Sequence, residues 1–162
     1  MKQCQRLGQG FIFGVTGLAL MISFYLQYIE ALTPCPLCLM QRGMMVLIFL
    51  VALLGIFLVK RGVLVVEFFV ALAGVFFALR QLWLQSLPVA DTGVCLPGVE
   101  MLIHKLPWHE VLHTFVWGGT SCGEVAWTFA GLSMPAWSLI YFSLIGILSV
   151  FLGVKYSRDE HV

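Results

Sequence analysis

The residues best suited to chemistry are two cysteines near the start of the chain, Cys35 and Cys38, spaced as a C-x-x-C pair. Two thiols at this spacing can form a disulfide, bind a metal or shuttle electrons. Three features favour a thiolate at Cys38: the C-x-x-C setting, the helix predicted to begin beside it, and the charge of Arg42 one turn later. A thiolate is the attacking species in disulfide exchange, so the pair is suited to that reaction.

A second pair, Cys95 and Cys122, lies in a long polar segment. As a structural disulfide it would close a loop of about 28 residues and stabilise the fold by roughly 3–4 kcal/mol through chain entropy. Beside an outward-facing C-x-x-C pair, the two disulfides could instead exchange through mixed disulfides. The fifth cysteine, Cys4, is predicted to lie across the membrane from the others, where it has no part in this chemistry.

Two other interpretations of the four cysteines stay open at this point. A structural disulfide within the C-x-x-C pair closes a very small ring and restrains little of the unfolded chain, so it would stabilise little. A zinc site of four cysteines usually shows two closely spaced pairs, whereas the second pair here is widely separated.

Another motif matches the H-E-x-x-H signature of zinc metalloproteases, in which two histidines bind zinc and the glutamate is the general base. A catalytic zinc site needs a third protein ligand, and no companion motif supplies one. A membrane zinc protease is therefore an alternative function, with these residues as its site: His109-Glu110-Val111-Leu112-His113.

Composition identifies an integral membrane protein. The 162 residues are 60% hydrophobic and 10% charged, whereas a soluble domain is about half apolar and a quarter charged. The net charge of +1 gives no reason to expect a nucleic-acid partner. We predict one all-α domain over 1–162, a four-transmembrane-helix bundle with spans near 8–29, 43–59, 63–80 and 136–154. The connecting outer loops are then 30–42 and 81–135.

Four spans put both termini on one side of the membrane, and the positive residues indicate which side. Six of the nine Lys and Arg residues fall on the side of the termini: Lys2, Arg6, Lys60, Arg61, Lys155 and Arg158. The others fall on the opposite side: Arg42, Arg80 and Lys105. Because positive residues collect in cytoplasmic segments, we predict cytoplasmic termini. Both cysteine-bearing loops then face outward, which in a bacterium is the periplasm, where disulfides persist.

Two further features bear on the positions of side chains. In the second loop, apolar residues recur at helical spacing and predict a short amphipathic helix on the membrane surface: Trp108, Val111, Leu112 and Phe115. Glu67 lies about one turn inside the third span, where a carboxylate at mid-membrane would suggest a functional site. It is close enough to Lys60 and Arg61 that we instead expect its carboxylate to extend toward those charges or pair with them.

Several segments together form a specific pattern that covers nearly the whole chain. They are Pro34-Cys35-Pro36-Leu37-Cys38 with Arg42, Ala78-Leu79-Arg80, Ser121-Cys122-Gly123-Glu124 and Trp127-Thr128-Phe129-Ala130-Gly131-Leu132-Ser133-Met134-Pro135-Ala136-Trp137. With four spans and a second cysteine pair, the chain resembles the DsbB family of bacterial disulfide-bond formation proteins. That resemblance implies an inner-membrane oxidase that regenerates the periplasmic thiol oxidase DsbA and passes electrons to a membrane quinone, ubiquinone or menaquinone, and so to the respiratory chain.

The resemblance also implies a role for each cysteine. Carried over by position, reduced DsbA attacks Cys95, and Cys122 exchanges with Cys35. Cys38 then transfers the electrons to the quinone, while Arg42 favours the thiolate and the reduced quinone anion. The redox chemistry is that of the quinone, and the protein supplies placement and electrostatics.

One departure from the family and two alternatives remain. Some family members carry a histidine shortly after the third span; this chain has none there, and Trp83 and Gln85 are candidates for its place. An oxidase like vitamin K epoxide reductase would have its C-x-x-C late in the chain, after the loop pair, whereas here it is early. A non-enzymatic membrane adaptor with structural disulfides would show no redox change in its four cysteines during turnover.

Overall fold

Five helices and one hairpin form the part of the chain that the computed structural model describes, which is residues 2–29, 35–58, 60–87, 107–118, 122–123 and 127–160. The helices are α1 (Lys2–Tyr28), α2 (Pro36–Phe57), α3 (Arg61–Ser86), α4 (Trp108–Trp117) and α5 (Met134–Glu160). Strands β1 (Thr128–Phe129) and β2 (Leu132–Ser133) pair antiparallel. Within these ranges, α1, α2, α3 and α5 are long and apolar enough to cross a membrane. The prediction of an all-α protein with four membrane helices is confirmed.

The helices extend beyond the spans expected from the charge-free runs. Residues 36–42, assigned to the first loop, form the first two turns of α2, and α3 continues to Ser86. Pro36 suits the first turn because that turn needs no N–H donor, and the Cys35 sulfur caps the helix by accepting from the Cys38 N–H at 3.3 Å. Charged residues marked the span boundaries, but a helix end at a membrane surface tolerates charge.

The four long helices pack in a ring. Helix α1 packs against α2, α2 against α3, and α3 along most of α5, while α1 and α5 touch less extensively. Gly74 on α3 permits the closest approach, because a Cβ there would lie 2.4 Å from the Phe142 ring of α5. Such small residues are common where membrane helices meet. The apolar part of the buried core comprises Ile12, Leu20, Met45, Ile48, Ala52, Leu64, Ala71, Phe142, Ile145 and Leu152.

Glu67 lies inside this bundle, so the expectation that it extends toward Lys60 and Arg61 is wrong. Its side chain is 0% exposed. Its Oε2 accepts from Gln9 Nε2 at 2.9 Å and from Ser149 Oγ at 3.5 Å. Hydrogen-bond donors from α1 and α5 therefore offset part of the cost of burying the Glu67 carboxyl group.

Two shorter elements connect α3 to α5. A helix occurs where the amphipathic pattern predicted one, at Trp108–Trp117; its location on a membrane surface and the cytoplasmic side of the termini stay predictions. The hairpin turns at Ala130 and Gly131, whose φ values of 52° and 78° fit a type I′ turn. Trp137 Nε1 donates to the Phe129 carbonyl at 3.1 Å and fixes the hairpin to the start of α5.

Candidate functional site

The C-x-x-C pair occupies the N-terminus of α2. Cys35 is the N-cap and is buried, while Cys38 lies in the first turn and is half-buried. Their sulfur atoms are 2.8 Å apart. Because Cys35 is fixed as the N-cap and Cys38 lies in the first turn of the helix, local structure brings the two sulfurs together.

Cys122, from the second loop, packs against this pair. It is 0% exposed and forms a buried cluster with Cys35 and Leu37. The hydrogen bond between Cys122 and Cys35, that between Cys38 and Cys35, and burial together raise the pKa of the Cys35 thiol. Cys122 of the second predicted pair thus contacts Cys35 of the first pair. Cys95 lies outside the described residues, and so does the side chain of Cys4.

Two glutamines at the cysteines were not predicted from the sequence. Gln81 on α3 donates from Nε2 to Cys38 Sγ at 3.2 Å and to Cys35 Sγ at 3.4 Å. Its Oε1 accepts from Gln41 Nε2 on α2 at 2.7 Å. Both glutamines are buried, at 3% and 4% exposure. The available signal was a polar residue within an apolar helix near the cysteines, since such residues face the bundle interior.

Arg42 lies one turn after Cys38, and its side chain extends toward α1. Its Nη1 donates to Gln27 Oε1, and its Nη2 donates to the Ser23 carbonyl at 3.1 Å. The guanidinium carbon is 5.6 Å from the centre of the Phe24 ring. Arg42 is therefore anchored between α1 and α2, and its charge still acts electrostatically on Cys38.

The segment that leads to Cys122 is attached to α3. Arg80 Nε donates to the Trp117 carbonyl at 3.2 Å, and its guanidinium lies over the rings of Trp83 at 4.3 Å and Trp117 at 5.1 Å. This contact satisfies a carbonyl at the end of α4. Gly118 follows with φ of 80°, packed where a Cβ would lie 2.6 Å from Leu84. The end of α4 is thus held beside the cysteine cluster.

The remaining predicted residues have other surroundings. The His113 ring stacks on Trp117, with centroids 6.2 Å apart. In the part of the chain with defined placement, no three His, Cys, Asp or Glu side chains gather as metal ligands; the Glu110 side chain lies outside it. Trp83, a candidate for the missing histidine, is 51% exposed and stacks with Arg80. Neither the zinc protease nor the adaptor gains support from these contacts.

Comparison with known proteins agrees with the cysteine geometry. The family described as "Disulfide bond formation protein DsbB" matches residues 5–152. A "Disulfide bond formation protein B" of Marinobacter nauticus is 40% identical over 151 residues, 90% of each chain. Proteins of the same name from Hahella chejuensis and Stutzerimonas stutzeri are 43% and 38% identical, covering 86% and 92% of this chain and 84% and 94% of theirs. The chain therefore belongs to the DsbB family of disulfide bond formation proteins.

Proposed function

We propose that this protein reoxidises a DsbA-like periplasmic thiol oxidase at the bacterial inner membrane and passes the electrons through its two cysteine pairs to a membrane quinone. The observation that carries the proposal is the contact between Cys122 and Cys35. Disulfide exchange requires a thiolate to reach a disulfide sulfur, and these two sulfurs belong to different pairs. A contact of this kind would have no use in two independent structural disulfides.

The relay needs two exchange reactions. A thiolate of the reduced partner attacks Cys95 of a Cys95–Cys122 disulfide, and the partner's second thiol resolves the mixed disulfide. The partner leaves oxidised, and the loop pair becomes a dithiol. The Cys122 thiolate then attacks Cys35 of the Cys35–Cys38 disulfide and releases Cys38 as a thiolate, after which Cys95 restores the loop disulfide. Two electrons thus move to the first pair.

The residues around Cys38 fit a quinone as the final acceptor. When bound, a quinone supplies a two-electron, two-proton acceptor that dissolves in the membrane. Arg42 offers a cation beside the aromatic ring of Phe24, which is 44% exposed at the outer face of α1. Arg42 and Phe24 would hold the head group by charge and by ring contact. The half-buried sulfur of Cys38 lies one turn of α2 away.

Turnover of the purified protein tests the proposal. Quinone reduction should require both the protein and a reduced DsbA-like partner, and Cys38→Ser should abolish it. Cys4→Ser is the matched control, because its position is predicted to lie on the far side of the membrane, and it should keep full activity. Full turnover by Cys38→Ser would overturn the relay.

Arg42→Ala should raise the apparent KM for quinone, and an unchanged KM would remove Arg42 from the acceptor site.

Trapping of the partner tests the order of the relay. The protein with its disulfides intact is mixed with a reduced partner that keeps only its attacking thiol, so that the mixed disulfide formed by attack on a disulfide is not resolved. The reaction is quenched with acid, and the cysteine that carries the adduct is identified by peptide mass. An adduct on Cys95 alone is expected, since Cys122 is fully buried. A partner adduct on Cys38 or Cys35 would place the entry of electrons at the first pair and contradict the order proposed here.

A further inference from the structure

We propose that Gln81 is a positioning residue for the cysteine chemistry: its side-chain amide donates to the sulfurs of both Cys35 and Cys38, and Gln41 holds that amide in the donating orientation. This role rests on the proposed function, in which Cys38 leaves as a thiolate. It assigns to α3 a direct part in a reaction whose cysteines lie on α2 and in the second loop.

The contacts of the Gln81 amide suit both protonation states of Cys38. Nε2 lies 3.2 Å from Cys38 Sγ, at a distance where it donates to a thiolate, and 3.4 Å from Cys35 Sγ. Oε1 lies 3.7 Å from Cys38 Sγ, where it accepts from a thiol. An amide carries two N–H donors and one acceptor oxygen, so one group can serve the sulfurs before and after exchange.

Gln41 determines which end of the Gln81 amide faces the sulfurs. Its Nε2 donates to Gln81 Oε1 at 2.7 Å. If the Gln81 amide were rotated by half a turn, two NH2 groups would face each other and a buried acceptor would face the thiolate, which costs free energy at both contacts. The Gln41 donor therefore directs the NH2 group of Gln81 toward the cysteines.

Cys38 Sγ has two described side-chain hydrogen-bond partners, the Cys35 sulfur at 2.8 Å and the Gln81 amide at 3.2 Å. Arg42 is engaged with Gln27 and the Ser23 carbonyl and acts on Cys38 through its field. Gln81 is 3% exposed, so water does not readily replace its donor. A hydrogen bond to a charged acceptor is roughly twice as strong as a neutral one, and its strength is greater still in a low-dielectric interior. The Gln81 donor should thus help Cys38 to carry negative charge, and in a protein that lacks Cys35 it is the described side-chain donor that remains to Cys38.

Alkylation of Cys38 alone measures this effect without partner or quinone. In a variant with Cys38 as its only cysteine, the rate of reaction with iodoacetamide is followed from pH 5 to pH 10 in detergent micelles. Gln81→Met keeps the size of the side chain and removes the donor, so the midpoint of the pH profile should rise by about one unit. Gln81→Glu adds a like charge and should raise it further.

Two other variants complete the experiment. Gln41→Met frees the Gln81 amide and should raise the midpoint by less than Gln81→Met does. Gln3→Met replaces an exposed glutamine of α1 and should leave it unchanged. Should Gln81→Met fail to fold, Gln81→Glu and Gln41→Met decide the outcome. An unchanged midpoint in the folded Gln81 variants would overturn the proposal.

The result is separable from the fate of the proposed function. If the wild-type protein fails to reduce quinone with any reduced partner while the Gln81 variants shift the midpoint, the relay falls and the contact with Cys38 stands. If wild-type turnover is normal, Gln81→Met should lower kcat about tenfold with little change in the KM for the partner. Wild-type kcat in that variant would overturn the positioning role.

Discussion

Replacement of Glu67 tests how the bundle accommodates a carboxyl group in its interior. Glu67 Oε2 accepts from Gln9 and Ser149, whereas Glu67 Oε1 and Gln9 Oε1 have no partner within the described part of the chain. Both acceptors belong to side chains that are joined by the 2.9 Å hydrogen bond between Gln9 and Glu67, and each lacks a donor there. Glu67→Gln keeps the acceptor and brings such a donor. Glu67→Leu replaces the carboxyl group with an apolar side chain of similar size and removes both contacts.

The expected changes in the free energy of unfolding follow from these contacts. An interhelical hydrogen bond in a membrane protein contributes about 0.6 kcal/mol on average and up to about 1.7 kcal/mol. Glu67→Leu loses two of them and leaves the buried Gln9 amide unsatisfied, so it should cost about 1–3 kcal/mol. Glu67→Gln should match the wild type or exceed it by up to about 1 kcal/mol, since it supplies a partner for Gln9 Oε1.

Unfolding by SDS in mixed micelles, followed by circular dichroism, measures both variants. Leu72→Val, on the exposed face of α3, is the control and should unfold like the wild type. The refuting result is a loss of stability in Glu67→Gln as large as that in Glu67→Leu. It would mean that the negative charge is what stabilises the fold, by pairing with a cation such as Lys60 or Arg61, as the sequence had suggested.

Two further predictions concern packing and the attachment of the second loop. Gly74→Ala should destabilise the bundle by about 1–3 kcal/mol in the same SDS titration, because its Cβ would overlap the Phe142 ring. The control is Gly43→Ala, which has open space around it and should be neutral or slightly stabilising. Stability in Gly74→Ala equal to that of Gly43→Ala would contradict the close α3–α5 contact. Arg80→Ala loses the contacts with Trp117 and should slow thiol exchange between the two cysteine pairs several-fold in acid-quenched time courses. An unchanged exchange rate would show that the end of α4 does not position the loop.

The membrane helices were predictable because a bilayer accepts few other structures. A segment that crosses the bilayer must satisfy its own backbone hydrogen bonds and be apolar over about 20 residues. Both requirements can be recognised in the amino-acid sequence. The C-x-x-C pair was equally plain, because it is local. The start of α2 at Pro36 was less so, since Arg42 marked a boundary that the helix passes through.

Contacts between distant segments had no comparable signal. Cys122 contacts Cys35 from a distant part of the sequence, and only the family resemblance implied that these two cysteines in particular meet. Gln81 was counted with the loop, because the span was ended at Arg80, one residue earlier. Once α3 continues to Ser86, Gln81 lies on a buried helical face toward α2. Glu67 was misplaced for a related reason: the nearest charges along the sequence were preferred to the donors on α1 and α5.

Two of the groups of polar side chains inside the bundle differ in their consequences for mutation. Glu67 and Gln81 are separated along α3 by 14 positions, or about 21 Å of helix. Around Glu67 the neighbours are fixed donors on other helices, so a change there alters stability. Around Gln81 the neighbours are sulfurs that would change bonding and charge during exchange, and its amide can donate to either of them while the helices stay in place. A change at Gln81 should therefore alter the reactivity of Cys38 more than the free energy of unfolding. When the variants at both positions are compared, those at Glu67 should change the stability measured by SDS unfolding, and those at Gln81 should change the rate of Cys38 alkylation.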